Sequence, residues 1–403
     1  MYIRRAIEDS IESINKTFPV LLVTGPRQVG KTTMLKQLAR PDQKYITLDH
    51  PTIRQLAKTD PGLFLDRYPP PIIIDEVQYA PELFDYIKIY VDEHKRNGDF
   101  WLTGSQTFHM MKNVTESLAG RVGIVKMSGL SNAEVRGNVT LPFEVDKDYL
   151  LSRLAEVKKM SVVEVFDRIF KGSMPRLYES PETNREEYYE SYIETYISRD
   201  IRDLTQVADE LNFLRFITIV AARTATNVNY ETLASETGIT SPTAKQWLSI
   251  LVSNGLVLLI DPYFNNTLKR IIKAPRMFFL DTGLCAYLTK WNSAEALEVG
   301  AMNGQFFETW VVSELYKSYI HSGKRPPFSF YRDSNQREID LILEKNNTLY
   351  PVEIKKNSAP REAVKSFTAL DDNKTVGSGA VICMSQDVIP IDNRNWYVPA
   401  WLI

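Results

Sequence analysis

Hydrophobic and polar positions along the chain change period twice, and the changes divide it into parts. Over the first ~130 residues, short apolar runs alternate with amphipathic stretches. Pro19–Thr24, Tyr45–Asp49, Pro71–Glu76, Gly98–Ser105 and Val122–Met127 read as strands, because each is short, apolar and rich in β-branched or aromatic residues. Between them, residues 33–40 read as a helix, and 81–97 as another with Leu83, Ile87 and Val91 on one face. Residues 1–18 read as a helix leading into the core. Strands alternating with helices predict a parallel α/β sheet buried on both faces.

From 131 to 205 the period turns helical. Glu164–Phe170 is amphipathic, Lys171–Arg176 is a tight turn, and Tyr188–Leu204 reads as a long helix carrying Tyr192, Thr195, Tyr196 and Arg199. Over 206–292, Glu231–Thr237, a turn at Gly238, and a helix opening at Ser241-Pro242 and ending at Asn254-Gly255 precede two apolar runs, Leu256–Ile260 and Met277–Leu280. That order reads as a winged helix. Over 293–403, a helix at Gly304–Tyr316 precedes a strand at Arg337–Leu343, a turn at 344–348 and a returning strand at Tyr350–Lys355. The expected units are 1–130, 131–205, 206–292 and 293–403, within the two to four domains that 403 residues imply.

The candidate chemistry begins at the first strand's end. Gly25-Pro26-Arg27-Gln28-Val29-Gly30-Lys31-Thr32 fits G-x-x-x-x-G-K-S/T, followed by Thr33 and a helix. Backbone N–H groups and a helix N-terminus there cradle phosphate; Lys31 reaches the β- and γ-phosphates of ATP, and Thr32 holds Mg²⁺. The strand at Pro71 ends in Asp75 and Glu76, 44 residues after Lys31 and at the crevice end of a parallel sheet. Asp75 is expected to fix Mg²⁺, and Glu76 to orient the attacking water. The pair points to an ATPase, and no Asn-Lys-x-Asp guanine-reading motif is present. The next strand ends at the polar Thr103 and Ser105.

This order resembles the AAA+ ATPases. The stretches Gly25–Thr32, Leu102-Thr103-Gly104-Ser105-Gln106 and Ser117-Leu118-Ala119-Gly120-Arg121-Val122 resemble uncharacterised bacterial and archaeal AAA+-like ATPases that carry a domain of unknown function behind the core. The resemblance is strongest over 20–130. It implies that Thr103 or Ser105 senses the γ-phosphate, that Arg121 is an arginine finger or else a surface arginine, and that 131–205 is a helical lid. Arg199 is then either a second phosphate sensor or half of a surface ion pair.

The C-terminal hairpin carries a second constellation. Period-2 geometry puts Glu353 and Lys355 on one face, roughly 6.6 Å apart, with Asp340 on the neighbouring strand and Glu308 on the preceding helix. Glu308, Asp340 and Glu353 are expected to hold a divalent cation, and Lys355 to position or activate water. The pattern resembles the PD-(D/E)XK nuclease core, with Ile339 where the motif's name has proline.

Composition narrows the partners. A net charge of −2 leaves no global field to attract nucleic acid, so DNA contact must come from a local patch. The second helix of the 206–292 unit offers only Lys245, Gln246 and Trp247. Lys269, Arg270, Lys273 and Arg276 against Asp261 give 256–280 a charge of about +3. Two cysteines, Cys285 and Cys383, make no metal spacing and suit a reducing cytoplasm. The N-terminus reads as an amphipathic helix start rather than a signal peptide. No apolar run approaches the about 18 residues of a membrane span. The expected protein is an Mg²⁺-dependent, AAA+-type ATPase of the cytoplasm acting on DNA, with homo-oligomers open. The alternative is an ATP-dependent switch that assembles with a protein partner, its nuclease fold inactive.

Overall fold

The computed structural model describes residues 2–104, 114, 116–138, 141–196, 210–263, 274–333, 335, 337–360, 362–370 and 375–403. Its first sheet has five strands, β1 (Val20–Thr24), β2 (Lys44–Thr47), β3 (Ile72–Asp75), β4 (Phe100–Gly104) and β5 (Val122–Lys126). The order is β2-β3-β4-β1-β5 and every pairing is parallel. Alternation along the strands feeds two cores. Val20, Leu22, Ile72, Ile74, Phe100 and Leu102 pack on one side, and Leu21, Val23, Ile73, Trp101 and Val125 on the other. Helices α1 (Glu8–Thr17), α2 (Lys31–Leu38), α3 (Pro51–Thr59), α4 (Pro61–Arg67) and α5 (Leu83–His94) surround this sheet. α3 and α4 are separate helices, because Asp60 caps a new helix start by accepting from the Leu63 N–H, with Pro61 beside it.

A helical stretch follows: α6 (Asn132–Val135), α7 (Lys147–Glu156), α8 (Val162–Lys171), α9 (Arg176–Glu179) and α10 (Arg185–Tyr196). The sequence places Arg199, a candidate sensor, beyond α10 and outside the described residues. Next come α11 (Glu210–Ala222), β6 (Thr226–Asn227), α12 (Tyr230–Thr237), α13 (Ser241–Ser253), β7 (Val257–Ile260) and β8 (Arg276–Phe279). The three strands form an antiparallel sheet ordered β6-β8-β7. Thr240, not Ser241, caps α13, since the Thr240 side chain accepts from the Thr243 N–H and Pro242 falls within the first turn. Trp247, expected among the groups that read DNA, is 5% exposed. Its ring lies 5.0 Å from Phe213 and 5.5 Å from Phe216 of α11, so it is core.

After α14 (Thr282–Leu288) and α15 (Ala294–Val299) the chain enters α16 (Asn303–Ile320) and a mixed sheet. Its strands are β9 (Phe328–Arg332), β10 (Glu338–Lys345), β11 (Thr348–Ile354), β12 (Thr375–Val376), β13 (Gly379–Cys383), β14 (Ile389–Pro390) and β15 (Asn395–Pro399). The order is β14-β15-β13-β11-β10-β9, with β12 beside β11. Asn346 and Asn347 both take positive φ, 51° and 61°, which makes the β10–β11 turn two residues long and both strands longer than the sequence pattern suggested. One hydrophobic cluster runs from the second face of the first sheet through α8, α11 and α16 to β15, so the parts share a core.

Candidate functional site

The first site is built where β1 ends. Gly25 takes φ 148°, and a Cβ there would meet the Met127 carbonyl oxygen at 2.0 Å, so no side chain fits. Gly30, at φ 91°, caps α2 in the left-handed region. The first turn of α2 carries no acidic residue of its own, so its partial positive end faces the loop. Lys31 is 6% exposed, and its ammonium donates to the Gly25 and Pro26 carbonyls at 2.9 and 2.6 Å. Gln28 (φ 60°) lines a cavity of about 450 Å³ with Arg176, Asn184, Glu187 and Tyr188. Arg27, Val29 and Thr33 complete the loop and its exit.

Asp75 gathers this site. Its Oδ1 accepts from Thr32 at 2.9 Å and from Thr103 at 2.6 Å, and its Oδ2 accepts from Tyr45 at 2.7 Å. A buried carboxylate held by three hydroxyls is fixed in direction. Burial and the Asp75 charge push the Tyr45 phenol up, so it stays a donor. Tyr45 was not legible as a site residue, since nothing in its strand marks it apart from core. Glu76 takes φ 57° just past β3 and accepts from the Gln78 amide. Ser105, the other candidate sensor, lies outside the described residues. The fixed Asp75, the Thr32 hydroxyl and the loop around Lys31 fit a nucleoside triphosphate with Mg²⁺.

Arg121 stands elsewhere. Its carbonyl accepts from the Val20 N–H, at the opposite end of β1 from the loop. Its guanidinium grips Asp92 of α5 through two bonds, 2.6 and 2.9 Å. It therefore lies away from the phosphate loop of its own chain.

The second constellation lies in the C-terminal sheet. The register Leu341↔Val352 puts Asp340 across from Glu353, and a bulge in the β9–β10 pairing falls between Ile339 and Ile342. Asp340 Oδ2 accepts from the Ile354 N–H at 2.9 Å. Lys355 lies 2.6 Å from Glu353 Oε1 and 3.4 Å from Asp340 Oδ2. Glu308 reaches the same place from α16, but not alone. Arg276, from β8, stands among the acids: its Nη1 is 3.0 Å from Glu308 and 3.4 Å from Asp340, and its Nη2 is 2.6 Å from Glu338. The sequence reading counted Arg276 with a solvent-facing basic wing; its side chain is 11% exposed and spent on carboxylates. Lys269, Arg270 and Lys273 lie outside the described residues. Burial and the Asp340 charge push the carboxyls of Glu308 and Glu353 well above the usual carboxylate range. Among the described residues, no three of His, Cys, Asp and Glu converge as metal ligands. With Arg276 in place the cluster does not fit a cation.

A third cluster joins the two ends. Arg5, 2% exposed, donates to the Val29 carbonyl of the phosphate loop at 2.8 Å, to the Ser128 and Gly129 carbonyls, and to Glu134 at 3.2 Å. His321, at the end of α16, lies 3.2 Å from Glu134. Lys317 donates to the Leu130 carbonyl and to Glu314, which accepts from the Asn132 N–H.

Residues 17–136 match the family described as AAA domain. Residues 163–295 match a domain of unknown function, DUF8612, and 303–403 another, DUF4143. The chain is 27% identical to uncharacterized proteins of Mycobacterium tuberculosis and Mycobacterium bovis over 387 residues, 95% of this chain and 80% of each relative. A solved Walker-type ATPase of Pyrococcus abyssi overlays with a TM-score of 0.45 at 14% identity, over 72% of this chain and 96% of that one. Residues 17–136 are thus similar to an AAA-type domain, with a domain of unknown function matched after it at 303–403. Among the described residues, no helix is long and apolar enough to cross a membrane.

Proposed function

We propose that this protein is an Mg²⁺-dependent ATPase that acts on DNA through its middle and C-terminal units. The observation that carries the ATPase reading is Asp75. One buried carboxylate at the crevice end of β3 holds the loop's Thr32 and the neighbouring strand's Thr103. Bound ATP and Mg²⁺ would supply an activated phosphoanhydride there. Lys31 and the backbone N–H groups of Gly25–Thr32 bind the phosphates, Thr32 and Asp75 hold the ion's side, and Glu76 orients water. Thr103 keeps Asp75 aimed.

DNA is the proposed substrate partner on two grounds. The order α11-β6-α12-α13-β7-β8 supports a winged-helix reading, and Lys245 and Gln246 stay exposed on α13. The C-terminal sheet brings Asp340, Glu353 and Lys355 together, which supports the PD-(D/E)XK reading, beside a cavity of about 590 Å³ lined by Arg337, Lys355 and Lys365 and also by Glu338, Glu353 and Glu362. Phosphate turnover measured with and without linear, branched and single-stranded DNA tests this reading. Stimulation by DNA is expected, and Lys355→Ala should abolish strand cleavage while leaving DNA-free ATP turnover unchanged. Turnover indifferent to every DNA form, with ATP-dependent assembly instead, would favour the switch reading. Arg276 among the carboxylates is the observation on that side.

Arg121 adds a prediction about assembly. Its place at the far end of β1 from the loop suits action on a neighbouring copy. Mixing Arg121→Ala with Glu76→Gln subunits is expected to restore part of the ATPase activity that each lacks alone. A fully active monomer by light scattering removes the trans role.

A further inference from the structure

We propose that Tyr45 is a positioning residue for the ion side of the nucleotide site, setting the plane of the Asp75 carboxylate and with it the affinity for Mg²⁺. The inference rests on the ATPase reading and adds a group that neither the phosphate loop nor the two strand ends supply.

The sheet register brings Tyr45 and Asp75 together. β2 and β3 run parallel, with Thr47 opposite Asp75. Side chains of paired residues share a face, and the residue two positions back, Tyr45, shares it too. That offset is roughly 6.6 Å along the strand. A phenol crosses such a span, and a serine or threonine hydroxyl does not. The Tyr45 hydroxyl donates to Asp75 Oδ2 at 2.7 Å. Its ring lies under the Lys36 ammonium, 3.7 Å from the ring centre, and Lys36 belongs to α2, the helix that opens at Lys31. This cation–π contact holds the ring against the helix, so β2 and α2 together present the hydroxyl.

Asp75 depends on that third bond. The last torsion of an aspartate side chain is soft. Thr32 and Thr103 both donate to Oδ1, at 2.9 and 2.6 Å. Two bonds to one oxygen fix that atom and leave the other free to swing about it. Tyr45 holds the other, and the carboxylate plane is then set. Asp75 is 5% exposed, so bulk water does not freely reach its second oxygen to replace the phenol. A carboxylate offers about four acceptor positions. The three hydroxyls fill three of them, and the ion's side draws on what is left. Phenylalanine at 45 would fill the same space and keep its ring under Lys36. The hydroxyl is therefore the part that serves the carboxylate rather than the sheet.

The test uses the full chain loaded with ADP, with protein in excess over nucleotide. Mn²⁺ is the probe ion, read by its electron paramagnetic resonance signal. Hydrogen-bond partners of a ligating side chain are worth about 10–100-fold in metal affinity. Tyr45→Phe is expected to weaken Mn²⁺ binding by about that factor while leaving ADP affinity without divalent ion unchanged. The Mg²⁺ concentration for half-maximal ATP turnover should rise in step. Asp75→Asn is expected to lose the Mn²⁺ signal; a signal that survives it lies elsewhere and would overturn the proposal. Unchanged Mn²⁺ affinity in Tyr45→Phe would also overturn it, and leave the ATPase reading standing. An equal loss of metal-free ADP affinity would do the same, making Tyr45 a support of the fold rather than of Asp75. A wild-type chain that binds neither ADP nor Mn²⁺ would overturn both readings.

Discussion

Glu76→Gln is expected to bind ATP and keep it, with turnover lowered by about 100-fold or more. The side chain sits one residue past Asp75 at the crevice end of β3, at φ 57°, a conformation that lifts it clear of the strand. Glutamine preserves that shape and its contact with Gln78. It loses only the charge that orients and polarises water. Lys31→Ala should fail one step earlier. The buried ammonium is now tied to the Gly25 and Pro26 carbonyls. Without it the phosphates lose their main counter-charge, and binding should fall. Filter binding of labelled ATP beside steady-state phosphate release separates the two. A Glu76→Gln protein that turns over at the wild-type rate would falsify the assignment of Glu76.

Glu134→Ala is expected to cost about 3–5 kcal/mol, because it strands a buried guanidinium. Glu134 is 4% exposed and serves four groups: Arg5, the Ala6 N–H, the Ser131 N–H and the nearby His321. Burial alone would raise its carboxyl; Arg5, His321 and the Ser131 N–H hold it far below the usual carboxylate range. The stabilisation is therefore complete above that range and is lost as pH falls toward the folded value. His321 acts in the same direction. Burial holds its imidazole below the ordinary 6.5, so the unfolded chain takes up the proton first as pH drops below that point. Thermal midpoints should decline from about pH 6.5 downward, and Glu134→Gln should flatten the more acid part of that decline. A flat wild-type profile between pH 4 and 7 would count against the pairing. Removing both charges, as Arg5→Met with Glu134→Leu, should recover part of the loss, since apolar pairs of similar volume replace buried ion pairs at little cost.

Much of the nucleotide site was legible because its chemistry is local. The glycines, Lys31 and Thr32 fall within eight residues, and the β-branched run before Asp75 marks a strand end by pattern alone. The C-terminal hairpin was legible for the same reason, as Glu353 and Lys355 are set by strand period. What stayed hidden joins distant segments. Arg276 meets Asp340 across 64 positions, and Arg5 meets His321 across 316. Neither pairing leaves a trace in spacing, so Arg276 read as wing charge and Arg5 did not stand out. Trp247 is different. Ala244, Trp247, Leu248 and Leu251 share one helical stripe, all buried, and that spacing already argued for core over DNA contact.

The Arg5–Glu134–His321 junction also bears on how the molecule can be taken apart. The apparent boundary near residue 300 invites isolating the C-terminal part. Cut there, Glu314 and Lys317, now 4% and 2% exposed, would lose Asn132 and Leu130 and face solvent beside bare apolar surface. His321 would lose Glu134. The severed piece would be a different object from its counterpart in the whole chain, prone to stick or unfold. Silence from such a fragment in a cleavage assay would report the loss of its neighbour, not the chemistry of its carboxylates. Dissection by point substitution in the intact chain is the approach the architecture permits.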